Sequence, residues 1–251
     1  MLEVEDTALL LPQGGADVNF LDKRNVNHLH RASQGGCLDI VQSLLDRKVD
    51  VNLPDMDGDT PLGRASGVGD VEISRLLLQW GANINSRNNC GISPLGRAAI
   101  GGHLDVVQLL IKSGADMSSR DDEGKTPLFL ASQNDRVKVA ELLLQNGANV
   151  GSRNNYGWTP LHSASNRGHL KVAELLIQHG ADLNVHQDGW TPLHWASDSG
   201  HLDIVKLLLK CGADRDIRNN DNKTPLDLAY NKGMLEIVNV LSQSITSPVV
   251  C

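Results

Sequence analysis

The chain has 251 residues, a formal net charge of −7 and eight aromatic residues, with hydrophobic side chains making up 40% of it. An acidic balance argues against a dedicated nucleic-acid binder, which carries a basic footprint, and no apolar run approaches the length that crosses a bilayer. The opening "MLEVEDTALLLPQGG" places acid where a secretory leader carries Lys or Arg, so the chain is expected in cytoplasm or nucleus, without a membrane or nucleic-acid partner.

One unit recurs along the sequence. "NHLHRAS" starts at Asn27, "TPLGRAS" at Thr60, "SPLGRAA" at Ser93, "TPLFLAS" at Thr126, "TPLHSAS" at Thr159, "TPLHWAS" at Thr191 and "TPLDLAY" at Thr224. The starts are 33 residues apart except for a 32-residue step between Thr159 and Thr191. A second block follows each start, as in "GHLKVAELLIQHGAD" over 168–182. In each unit Thr is placed to cap a helix and Pro to occupy its first position. A short helix follows, with Leu161, Ala164 and Ser165 inward in the fifth unit, and Gly168 ends it by adopting a left-handed backbone. A second helix carries Val172, Leu175, Leu176 and Ile177 at helical spacing and stops at Gly180. A turn then leads to the next Thr, with Gly157, Gly189, Asn222 or Asn25 two residues before it. Neither helix can bury its apolar face alone, so neighbouring units must stack.

These motifs resemble the ankyrin repeat over about residues 9 to 243. The resemblance implies an all-α solenoid of stacked antiparallel helix pairs with β-hairpin-like fingers and a concave face. The expected division is a partial N-terminal repeat or cap at 1–23, a degenerate first repeat at 24–52, and repeats at 57–85, 90–118, 123–151, 156–184 and 188–216. A C-terminal capping repeat at 221–243 and a tail at 244–251 complete it. Leu9 to Asn19 reads as the second half of a repeat whose first helix is missing, which suggests a chain cut from a longer array. Polar Asn239, Ser242 and Gln243 suit a last helix without a neighbour. In the family, the His of T-P-L-H bonds to the adjacent repeat. Only His30, His162 and His194 keep it; Gly63, Gly96 and Phe129 replace it, and Asp135 replaces a helix-ending glycine. Weaker coupling is expected around repeats two to four.

Catalytic and metal patterns are absorbed by the repeat. His30, His162 and His194 fill the T-P-L-H slot, and His103, His169 and His201 the G-H-L slot. His28, His179 and His186 remain, without ligand spacing, so no metal is expected. Cys37, Cys90, Cys211 and Cys251 contain no C-x-x-C pair and read as reduced thiols. "EGKTP" lacks the upstream glycine of a phosphate loop, and "GISPLG" is not a nucleophile elbow. The chain is read as no enzyme, with no catalytic residues and no cofactor.

Residues that vary beneath the fixed pattern are where recognition can reside. The slot four after the Thr reads Arg31, Arg64, Arg97, Leu130, Ser163, Trp195 and Leu228. Its three arginines form a ladder suited to acidic groups, or lie over helix surface on their aliphatic stems. The residue before the Thr is Trp158 and Trp190 in adjacent fingers, near Tyr156 and Trp195. Clustered Trp and Tyr are common interface anchors, and Asp188, Asn166 and Asp198 (with Arg167) form the expected polar rim. The opposing reading is that each Trp packs within its own finger. Asn19, Asn52, Asn85 and Asn184 occupy a slot that in some ankyrin repeats is hydroxylated. The function expected is a monomeric scaffold that binds a protein partner through the concave face and fingers. The alternative is the repeat segment of a larger signalling or NTPase protein, acting as sensor or autoinhibitory arm.

Overall fold

Fourteen helices occupy the described residues, 26–243 of the computed structural model, in two compact units that divide between Asp122 and Glu123. The first unit contains α1 (His28–Gly35), α2 (Leu38–Asp46), α3 (Pro61–Val68), α4 (Val71–Gln79), α5 (Pro94–Gly101) and α6 (Leu104–Lys112). The second contains α7 (Pro127–Gln133), α8 (Val137–Gln145), α9 (Pro160–Arg167), α10 (Leu170–Gln178), α11 (Pro192–Ser199), α12 (Leu202–Lys210), α13 (Pro225–Asn231) and α14 (Leu235–Ser242). Within each unit the first helices of successive pairs pack on one another, and the second helices form a parallel layer behind them. The core lies between the layers: Leu161, Ala164, Val172 and Leu176 are fully buried, whereas Leu175 and Ile177 are half-buried. The half-repeat at Leu9–Asn19, Asn25 and the tail fall outside the described residues.

The caps are those the motif predicts. Thr159 accepts from the His162 amide at 3.4 Å, and Nδ1 of His162 accepts from the Thr159 amide at 3.2 Å, so each satisfies an otherwise free N–H. Its Nε2–H donates to the Trp190 carbonyl of the next pair at 3.1 Å. His194 repeats this arrangement and reaches the Lys223 carbonyl at 3.2 Å. Asp227 takes the box role in the last repeat, its carboxylate accepting from the Thr224 amide at 2.8 Å, and that bond lowers its pKa. The G-H-L histidines are a second set of ties. His103, His169 and His201 reach the carbonyls of Gly67, Gln133 and Asn166 at 2.9, 3.2 and 3.0 Å.

Where Gly63 and Gly96 displace the box histidine, the cap survives but its return bond does not: Gly63 and Gly96 amides donate to Thr60 and Ser93 at 3.3 and 3.2 Å. The coupling between repeats two and three is carried by charge instead. Asp59, 2% exposed, accepts from Asn88 Nδ2 at 3.1 Å and pairs with Arg97 across the repeat step. Asp135 adopts the left-handed backbone, φ 56°, that the glycines of sister repeats adopt at this corner. A non-glycine pays about 1–2 kcal/mol there, part of which glycine returns as chain entropy. Asp135→Gly is therefore expected to stabilise the second unit by about 0.5–1 kcal/mol in urea unfolding; a loss of stability would show that the side chain does more than fill the corner.

Finger six departs most. In fingers two, three, five and seven the Oδ1 of Asp55, Asn88, Asn154 or Asn219 accepts from the amides two and four residues on, at 3.0 and 2.9 Å for Asn154. The 32-residue step removes this loop. Asp188 and Gly189 take φ 54° and 78°, and Gln187 pairs with Trp190 in a tight hairpin. Both left-handed residues fit the Asp-Gly turn whose twist matches paired strands. A Cβ on Gly189 would lie 2.4 Å from the Asn219 Cα, so glycine is required. Elsewhere in the second unit each finger bonds to the last, Asn155 N to Glu123 O at 2.8 Å and Asn220 N to Asp188 O at 3.0 Å. The Gln187 amide, which by register faces Tyr156, turns back to its own finger at 3.3 Å. Fingers five and six thereby lack this backbone bond, and Arg153 donates to the His186 carbonyl at 3.3 Å instead.

Among the described residues Cys37 and Cys90 are free thiols; Cys251 lies outside the described residues.

Candidate functional site

Fingers five and six stand beside the aromatic residues. Trp158 ends finger five, its amide donating to Asn154 Oδ1; Trp190 ends finger six; Trp195 follows Thr191 by one helical turn on α11. The Trp195 ring lies 4.5 Å, centroid to centroid, from both Trp158 and Trp190, tilted 51° and 35°. Trp158 also stacks at 6.3 Å on His162, and Trp190 sits 5.9 Å from His194. Each finger tryptophan thus covers its own box histidine, while Trp195 joins the two fingers. All three indoles are half-buried, and Tyr156 beside them is 62% exposed. The Trp195 Nε1 is shielded from solvent and has no hydrogen-bond partner, an uncommon state for a buried donor.

A groove of about 770 Å³ opens against this aromatic wall. It is lined by Phe129, Tyr156, Trp158, Trp190 and Trp195, with Glu123, Lys125, Gln187 and Asp188 among its polar residues. Lys125 Nζ is 2.9 Å from Glu123 and 6.0 Å from the Phe129 ring centre. Phe129 was not among the sequence candidates. Its signal was present: an aromatic in the slot that His162 and His194 occupy.

The expected rim divides. Asp188 lines the groove, whereas Asn166 accepts from Ser199 Oγ at 2.9 Å and Asp198 pairs with Lys232 at 2.7 Å, both tying helix ends across repeat steps. The arginine ladder lies in the first unit and is engaged internally. Arg64 donates to Asp55 at 2.6 and 2.8 Å and to Asp57 at 2.7 Å. Burial works against its charge, but the hydrogen bonds to Asp55 and Asp57 outweigh it and raise its pKa. Arg97 pairs with Asp59, and Arg31 is exposed on α1. For Arg64 and Arg97, the carboxylates of Asp55, Asp57 and Asp59 fill the role that the sequence pattern assigns to a partner's acidic groups.

The box histidines are held neutral. Burial pushes His162 down to about 4, against a bond to the Trp190 carbonyl that raises it, and burial likewise lowers His30 and His194. Protonation at Nδ1 would also face the Thr159 amide and hydroxyl, which donate to that atom. The unfolded chain takes up this proton near pH 6.5 and the folded one only near 4, so stability is full above 6.5 and falls as pH drops toward 4. His162 alone is expected to contribute about 3 kcal/mol to that loss. Urea titrations between pH 7 and 4 should show a shallower pH slope for His162→Ala than for the wild type; parallel slopes would exclude this residue as the cause.

The three described asparagines of the hydroxylation slot bridge repeats. Asn52 accepts from the Asn83 amide at 2.6 Å, Asn85 from Asp116 at 3.0 Å and Asn184 from Asp214 at 2.9 Å; Asn19 lies outside the described residues. No group of three His, Cys, Asp or Glu among the described residues is arranged to hold a metal ion. No described helix is long and apolar enough to cross a membrane.

Comparison with curated proteins gives no match. The family model for ankyrin repeats in three copies matches residues 4–88, 81–154, 147–219 and 185–249. The matched segments cover the same stacked helix pairs, Thr-Pro caps and fingers, and the chain belongs to the ankyrin-repeat family, whose repeats are generally protein–protein interaction modules.

Proposed function

We propose that the chain is a non-catalytic scaffold that binds a protein partner through the aromatic groove of its second unit. The observation that carries this reading is the continuous Trp158–Trp195–Trp190 contact walling a groove of about 770 Å³, with Tyr156 exposed beside it. Large rigid rings offer contact area at low entropic cost, and a stacked repeat orders them before the partner arrives. Tyr156, Trp158, Trp190 and Trp195 supply the apolar contact and Asp188 a polar one. Arg64 and Arg97, bound to Asp55 and Asp59, hold the first unit together.

Affinity purification with mass spectrometry, wild type against Trp190→Ala plus Trp195→Ala, tests the reading. Proteins recovered with the wild type are expected to be missing from the double variant, while circular dichroism shows its helices intact. Recovery of the same proteins by both would overturn it.

A further inference from the structure

The chemistry of the groove narrows the partner. Among its charged lining residues, Lys125 and Glu123 are 2.9 Å apart and neutralise one another. The Asp188 carboxylate, exposed at the finger tip, meets no cation among the described residues. The groove therefore pairs an aromatic wall, with Tyr156 62% exposed, with one uncompensated negative charge, and a cation is attracted to both. The tryptophans touch at 4.5 Å instead of standing apart. They form a wall for a flat group to lie against and leave no cage between them for a rounded one.

A planar guanidinium fits these features together, because it stacks on an aromatic face while its N–H fork pairs with a carboxylate. We infer that the groove takes an extended peptide segment presenting an arginine, which lies on the aromatic wall and pairs with Asp188. Single-stranded nucleic acid also stacks on aromatic rings, but its phosphates would face the Asp188 carboxylate. This assignment rests on the groove being the binding site and adds the chemistry of what enters it.

Indole N–H resonances test it directly, since the chain has four tryptophans and Trp80 belongs to the first unit. The probe is an acetylated, amidated (Gly-Arg)4 peptide titrated into the whole protein, with (Gly-Ser)4 and oligo(U) as the other arms. The Arg peptide is expected to shift the Trp195 indole signal saturably and leave Trp80 unmoved. Asp188→Asn should weaken the interaction at least fivefold. Trp190→Ala, which removes part of the aromatic wall, should weaken it similarly. No saturable shift, equal affinity in Asp188→Asn, or an equal response to (Gly-Ser)4 or oligo(U) would each overturn the inference. A natural partner that depends on Trp190 and Trp195 while the Arg peptide fails to bind would leave the groove as the site and remove arginine as its ligand.

Discussion

Asp59→Ala is expected to destabilise the first unit by about 3 kcal/mol, the largest single-residue effect outside the apolar core. The carboxylate is 2% exposed and serves Asn88 and Arg97 across a repeat step, with Arg64 3.6 Å away. Its removal leaves Arg97 and Asn88 without their acceptor, and breaking a buried pair on one side costs far more than the pair contributes. Arg97 keeps partial solvent access, with a side chain 31% exposed, which places the loss near the lower end of the usual range for such pairs. Asp57→Ala is the control: its carboxylate is 72% exposed, and exposed pairs contribute about 0–1 kcal/mol. Urea unfolding measures both. Similar losses for the two variants would show that the Asp59 network does not couple these repeats.

Trp190→Ala combined with Trp195→Ala is expected to weaken partner binding by about 3–4 kcal/mol, or at least a hundredfold. Trp195 is in contact with both finger tryptophans, so its loss also removes the support that orients Trp158 and Trp190. The effects of the two single variants should for that reason not add, as expected of residues in one contact network. Trp80→Ala removes a more exposed indole, 42%, from the first unit and is expected to change affinity by less than about 0.5 kcal/mol. A hundredfold loss in Trp80→Ala would move the site out of the second unit.

The helices were legible because their signals are local. Thr159 and Pro160 begin a helix by cap and fixed φ, and Gly168 ends it by a backbone that other residues avoid. The tryptophans were legible as a cluster because register alone puts Trp158 and Trp190 one repeat apart. What register does not reveal is which polar groups satisfy each other. Arg64 and Arg97 look like an outward ladder until the finger aspartates are seen to meet them, nine residues away for Asp55–Arg64 and 38 for Asp59–Arg97. The 32-residue step was visible, but not its consequence. That depended on Asp188-Gly189 adopting a two-residue turn, which turns the Gln187 amide back to the Trp190 carbonyl. Asn166 and Asp198 illustrate the converse: near the cluster in sequence, they are spent on Ser199 and Lys232.

The location of the site is tested most directly by hydrogen–deuterium exchange of the protein with and without a captured partner, read by mass spectrometry at peptide resolution. The account predicts that added protection concentrates in residues 154–158 and 187–195, which hold the finger and helix positions of Tyr156, Trp158, Asp188, Trp190 and Trp195. Protection confined to the first unit, or to the second helices α10 and α12, would contradict it.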